Sequence, residues 1–380
     1  MSLVRTTPLP PDILAVVVSL PKIGSITRAS NDGEAVCLWL SEYDNPNTIS
    51  AFRKEAERFL LWAASRQQKL ADIAREDIRD FKDFLKKPEP RALWCGKRVA
   101  KTLPDGTLNP EWKPFLAPLS DHSQQLALTR IKNLFDYLEG IGYLSQNPFA
   151  VSRGRRSKAG RREVGVERII NDKMWLAIQR AIQTMPVESE LDRVHRLRAD
   201  WIVSLLYHTG ARRSEAASAM MGDLTRKKTS WWWRITGKGQ VVADIPLPSK
   251  LIAKLVLYRE GLGLPSFPTP GESTPLIGSV HPGRASIPMT PRHLHEIVKA
   301  IMAKAVILLE SDTEPDQETI RALNRASAHW FRHSYATRIL ASGARLDEAR
   351  RLLRHASIQT TQIYLHQEDQ ALVDAVNRLE

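Results

Sequence analysis

Residues 329–366 read HWFRHSYATRILASGARLDEARRLLRHASIQTTQIYLH. Within this stretch stand His329-Trp-Phe-Arg332-His333, then Leu353-Arg-His355, then Thr361 and Tyr364-Leu-His366. His329 and Arg332 are one helical turn apart, so a helix carries both on one side. Read singly, they make an ordinary surface pair, and Tyr364 a core residue. Upstream lies His208-Thr-Gly-Ala-Arg-Arg-Ser-Glu215, whose glycine marks a turn between two helices. Arg212 there, beside Ser214 and Glu215, is explained equally well as part of a helix cap. Between these segments runs WWWRITGKGQVVADIPLP, residues 231–248, with β-branched and aromatic residues flanking Gly237-Lys238-Gly239. That pattern predicts a hairpin or small sheet with its turn at the glycines and Lys238 at the tip, a position where a lysine is usually just solvated.

Together the segments supply a coherent chemistry. They hold two arginines, a lysine, two histidines and a tyrosine, with no evident carboxylate pair and no metal-ligand set. Two guanidinium forks can bind the non-bridging oxygens of a phosphodiester and neutralise charge growing on phosphorus. A phenol is a weak nucleophile while protonated and needs a base or strong charge stabilisation. The departing sugar oxygen needs a proton, which a lysine on a hairpin can supply.

The order Thr-Gly-x-Arg-x-Ser-Glu, Gly-Lys-Gly on a hairpin, His-x-x-Arg-His, and Leu-x-His with Thr-x-x-Tyr-x-His resembles the tyrosine recombinase, or phage integrase, family. The motifs cover 169–367, and the helical pattern of 48–148 is similar to that family's core-binding domain. The resemblance implies a site-specific recombinase that cleaves and rejoins DNA through a 3′-phosphotyrosine, with no metal, ATP or other cofactor. It makes Tyr364 the nucleophile, Arg212 and Arg332 the phosphate-binding arginines, and Lys238 the general acid toward the leaving 5′ hydroxyl. His329 assists proton transfer at the tyrosine, His355 hydrogen-bonds the scissile phosphate, and Glu215 orients Arg212 from behind. Arg213 and His333 are supporting residues. The implied partners are double-stranded DNA, a homo-tetramer on two duplexes joined through the C-terminal helix, and accessory DNA-bending proteins. Where the family usually has glycine, this chain has Arg354, which predicts either a differently shaped loop or an extra phosphate contact. The acidic stretch 310–318 and the loop 86–119 are longer than usual.

The rest of the chain divides accordingly. Residues 1–47 read as an N-terminal extension with an apolar run, Ile13–Leu20, too short to span a bilayer. Helices are predicted from Thr48 to Leu85, where Phe52, Ala56, Phe59, Leu60 and Ala63 and then Leu70, Ile73, Ile78 and Phe81 recur at helical steps. A proline-rich long loop follows over 86–119, then a helix with the stripe Leu126, Ile131, Leu134, Phe135 and Leu138 that ends at Gly140. Together 48–150 form a helical DNA-binding domain. A basic interdomain linker spans 151–168, in which Arg153, Arg155, Arg156, Lys158, Arg161 and Arg162 can follow a phosphate backbone. Residues 169–380 are the catalytic domain, mainly α with a small sheet. Its tail has Leu372, Val376 and Leu379 on one helical stripe, suited to docking on a neighbouring subunit.

Bulk properties agree. Net charge is +13, which suits a polyanionic partner, and 43% of residues are hydrophobic, enough for buried cores. Cys37 and Cys95 stand far apart with no ligand at metal spacing, which fits a cytoplasmic protein away from any membrane. Rival readings share parts of this pattern. A type IB topoisomerase or telomere resolvase would use the same chemistry. A decayed DNA-binding protein should have lost at least one of the six groups, and a metal nuclease would need clustered carboxylates. An integrase of a mobile element is the preferred setting, with transposon, plasmid or chromosome-dimer resolution as alternatives.

Overall fold

The computed structural model describes residues 26–150, 168–237, 242–280 and 286–354. The chain divides into two compact units, Met1–Gly160 and Arg161–Glu380. The apolar run Ile13–Leu20, the basic linker residues Arg153–Arg162 and the C-terminal tail with Leu372, Val376 and Leu379 lie outside the described residues.

The first unit is helical, as its periodicity predicts. Its helices are α1 (Asp32–Ser41), α2 (Pro46–Ser65), α3 (Arg75–Lys86), the single turn α4 (Arg91–Trp94) and α5 (Asp121–Gly140). Asn45 caps α2 with its side chain ahead of Pro46, and Ser120 caps α5. The core is strongly aromatic: Phe59 meets Phe81 at 4.8 Å and Phe135 at 5.5 Å, both edge to face. Two details depart from the sequence reading. α1 lies within the stretch read as an extension, yet it buries Ala35, Val36, Trp39 and Leu40 in this core. Buried Asp32 ties it down by accepting from Tyr143 Oη at 2.7 Å and from the Leu70 amide at 2.9 Å. Leu126, placed in the apolar stripe of α5, is instead 43% exposed, and Ala127 takes the inward position.

The long loop is held at its base. Phe115 is fully buried, with Arg58 stacked 4.4 Å from its ring centre and donating to the Pro114 carbonyl at 3.0 Å. Gly96 N–H donates to Phe115 O at 2.9 Å and Leu119 N–H to Leu85 O at 3.0 Å. Backbone groups that a loop would leave to water are thus partly paired.

The second unit is built around the long helix α7 (Glu190–Thr209), preceded by α6 (Asp172–Gln183). Ser189 and Asp192 form a reciprocal cap at its start, and Trp201, Ile202, Val203, Leu205 and Leu206 are wholly buried. After the short α8 (Arg213–Ser218) come three antiparallel strands in the order β1-β2-β3: Leu224–Lys227, Ser230–Thr236 and Val242–Leu247. Trp233 and Ile245 face each other in register, and with Ile235 and Leu247 they form the buried face. β2 and β3 flank the predicted hairpin turn, and β1 is an added edge strand. Helices α9 (Ser249–Gly261), α10 (Pro291–Glu310), α11 (Gln317–Arg325), α12 (Ala328–Ala341) and α13 (Leu346–Leu353) complete the unit. The fold class is therefore the expected one, mainly α with a small sheet. The acidic stretch joins α10 to α11 and is pinned rather than free: Asp312 takes both oxygens to Arg180 Nη1, at 2.8 and 2.9 Å, and Asp316 pairs with Lys173 at 3.1 Å.

Because Phe59 touches three aromatic partners in the first unit, Phe59→Ala is expected to destabilise that unit by about 3–5 kcal/mol. Urea unfolding of the full chain measures this. A midpoint unchanged from wild type would show that the aromatic cluster is not what holds the unit together.

Candidate active site

The site forms where three helix ends meet. α7 stops at Gly210, which adopts a left-handed conformation with φ of +57°. A Cβ there would lie 2.6 Å from Tyr335 Cδ1, so the position requires glycine for space as well as for backbone. The chain then turns through Ala211 to Arg212, the N-cap of α8. From α12, Arg332 reaches across: its Nη1 donates to Gly210 O at 2.7 Å and its Nη2 donates to Leu353 O at the end of α13. One buried guanidinium thereby satisfies carbonyls at two helix C-termini.

Glu215 sits behind Arg212 and is 5% exposed. Its Oε2 accepts the Arg212 backbone N–H at 2.7 Å, and its Oε1 accepts Arg212 Nη1 at 2.7 Å. The same Oε2 accepts Arg354 Nη2 at 2.9 Å. Burial alone would raise the Glu215 pKa, but Arg354 and Arg212 outweigh it and hold the carboxyl below the usual range. The Arg212 side chain, at 33% exposure, remains open to solvent, whereas Arg332 is 2% exposed.

Arg354 meets neither expectation. Its φ is +54°, a left-handed cap closing α13, so the loop keeps the shape that glycine favours. Its side chain is buried against Glu215 and is not turned out as an extra phosphate contact. Nothing in the spacing of residues could have distinguished these outcomes, because the choice depends on where Glu215 lies in space.

α12 presents His329, Arg332 and His333 along adjacent turns. The two imidazoles meet edge to face with centres 4.5 Å apart. Burial lowers the His329 pKa, and the charges of Arg332, Arg168 and Arg212 lower it further. His333 is pushed to about 4 by burial, His329, Arg168 and Arg332. Both are neutral near pH 7, and a neutral imidazole is able to accept a proton. His208, in the same motif as Arg212, packs beside Trp175 and Tyr207.

Of the predicted site residues, the structure brings Arg212, Glu215 and Arg332 into one network, with His329 within the electrostatic reach of both arginines. Lys238, His355 and Tyr364 lie outside the described residues, as do Arg153, Arg155, Arg156, Lys158, Arg161 and Arg162. Among the described residues no cluster of His, Cys, Asp or Glu could hold a metal ion, and no helix is long and apolar enough to cross a membrane.

A phage integrase family model matches residues 178–371, the region carrying these groups. The chain belongs to the phage integrase family, the tyrosine-type site-specific recombinases. It is 26% identical over 343 residues to a tyrosine recombinase of Thermosipho africanus (strain TCF52B), covering 88% of this chain and 93% of the relative. To the tyrosine recombinase XerD of Pasteurella multocida (strain Pm70) it is 24% identical over 332 residues, covering 87% and 90%. Among solved structures, XerH bound to a palindromic difH substrate, in a post-cleavage complex, aligns with a TM-score of 0.58 at 16% identity, covering 92% and 85%. A lambda integrase dimer bound to a COC′ core site aligns at 0.53 and 17%, covering 86% and 74%. At these identities the structural likeness is one of fold.

Glu215 has a depressed folded-state pKa, so its stabilisation is present above the ordinary glutamate value of 4.5 and is lost as pH falls through the folded value. Denaturant unfolding across pH is therefore expected to show Glu215→Gln less stable than wild type at neutral pH, with the gap closing in acid. Parallel curves at all pH values would remove the ion pairs from the energetics.

Proposed function

We propose that the chain cleaves and rejoins double-stranded DNA at a specific site, with Tyr364 as nucleophile and a 3′-phosphotyrosine as intermediate. The observation that carries this is the joining of Arg212, Glu215 and Arg332, from segments far apart in sequence, into one cationic cluster. Two guanidiniums, Arg212 and Arg354, share a single carboxylate while Arg332 is anchored on the adjoining carbonyls, an arrangement that favours an anion at the Arg212 edge.

In this reading Arg212 and Arg332 stabilise the charge that builds on the scissile phosphate. Neutral His329 takes the phenolic proton, and Lys238 protonates the departing 5′ oxygen. His355 steadies the phosphate. Energy of the broken bond is kept in the phosphotyrosine, so a 5′ hydroxyl of a second duplex re-forms the phosphodiester and releases Tyr364. The solved relatives named above are bound to DNA, which supports DNA as the partner here. The first unit then acts as the DNA-binding domain, with the basic residues between Arg153 and Arg162 following the backbone between the units. A tetramer linked through the C-terminal helix, with accessory bending proteins, is the assembly this exchange calls for. We take a mobile element as its setting, with resolution of transposons, plasmids or chromosome dimers as the alternative.

The test is a nicked DNA substrate from the protein's own genetic neighbourhood, incubated with the full chain and quenched in denaturant. Wild type is expected to give a protein–DNA adduct that Tyr364→Phe abolishes. An adduct that survives the substitution would reassign the nucleophile. Tight binding without any adduct would favour a DNA-binding protein that has lost its chemistry.

A further inference from the structure

We infer that Arg354 is a positioning residue for Arg212, sharing the Glu215 carboxylate with it and offering it a backbone carbonyl. This rests on the recombinase reading above and adds a residue to it. An arginine with φ of +54° occupies backbone territory that favours glycine. The side chain is 1% exposed. Its Nη1 donates to Leu352 O at 2.7 Å, and its Nη2 donates to Glu215 Oε2 at 2.9 Å and, more weakly, to Gly210 O at 3.4 Å.

The connections close into a ring. Arg212 Nη1 bonds Glu215, Glu215 bonds the Arg354 guanidinium, and Arg212 Nη2 reaches the Arg354 carbonyl at 3.4 Å. Arg212 is thus held at one terminal nitrogen by a carboxylate that the Arg354 side chain also holds, and at the other by the Arg354 carbonyl. The ring also sets how charge is divided. A carboxylate paired with Arg212 alone would cancel most of its positive field. Shared between two guanidiniums, it leaves Arg212 more of its charge for an anion on the exposed side. The groups that face Glu215 are Arg212, from the turn before α8, and Arg354, from the end of α13.

The experiment compares full-length wild type with Arg354→Met, which keeps bulk without charge, Arg354→Gly, which suits the backbone, and Arg354→Lys, which keeps the charge. All are assayed on the nicked substrate for DNA affinity, adduct rate and the pH dependence of that rate. The Met and Gly variants are expected to bind DNA within about twofold of wild type yet form adduct about tenfold more slowly. The acid limb of their rate profile should move to higher pH, because Glu215 then faces only Arg212. The Lys variant should bring that limb back. If the Met and Gly variants do not fold, Arg354→Gln, which keeps a hydrogen-bond donor without charge, takes their place: slower adduct formation with the limb moved to higher pH supports the inference, and a wild-type rate with an unmoved limb overturns it. Adduct formation at wild-type rate with an unmoved limb in the Met and Gly variants overturns this inference alone. So does a loss that only tracks the loss of folded, DNA-binding protein. Absence of adduct in wild type overturns the recombinase chemistry beneath it as well.

Discussion

The hydrogen bonds from Arg332 to the carbonyls of Gly210 and Leu353 hold the candidate site together. A helix leaves its last carbonyls without internal partners, and burying them unpaired is costly. Here the ends of α7 and α13 are buried near each other and a single cation serves both. The favourable sign of charge at a helix C-terminus adds to the bond itself. Because Arg212 follows Gly210 by two residues, anchoring the Gly210 carbonyl also decides where the Arg212 side chain starts. Placing Arg212 and ending two helices are one construction problem in this unit.

Charge is treated differently at each depth. Glu215 is nearly inaccessible but stays ionised because two guanidiniums face it. The histidines of α12 lie in the opposite situation: burial and neighbouring cations keep them uncharged. In the unfolded chain these imidazoles would take a proton near 6.5, so the unfolded state gains protons first as pH falls and stability declines from there. Neutral histidine beside fixed guanidinium charge is a workable pairing for a reaction that must move a proton while an anion grows.

Much of this was legible in the residue order, and the failures have physical reasons. α2 and α5 announce themselves by helical periodicity and by Asn45 and Ser120 at their caps. α1 does not, because DGEAVCLWLS has apolar residues on most sides and no clear polar face. β1 is only four residues, LTRK, and is held by pairing with β2 and not by its own composition. Leu126 fits the apolar spacing of α5, but the adjacent Ala127 allows closer packing and turns Leu126 outward. At the site, Arg212, His329 and Arg332 could be named from their motifs. The partnership of Arg354 with Glu215 could not, since 139 positions separate them and neither residue type points to the other.

The long loop between α3 and α5 has a different kind of significance. Its two ends are fastened, by Leu119 to Leu85 and by Arg58 to Pro114, while Leu103 and Gly106 close a small turn at the far tip. The tip can therefore be rebuilt without loosening the helices that carry it. Gly106, whose added Cβ would meet open space, marks a place where a reporter peptide or affinity tag could be grafted into the middle of the chain, leaving both termini untouched.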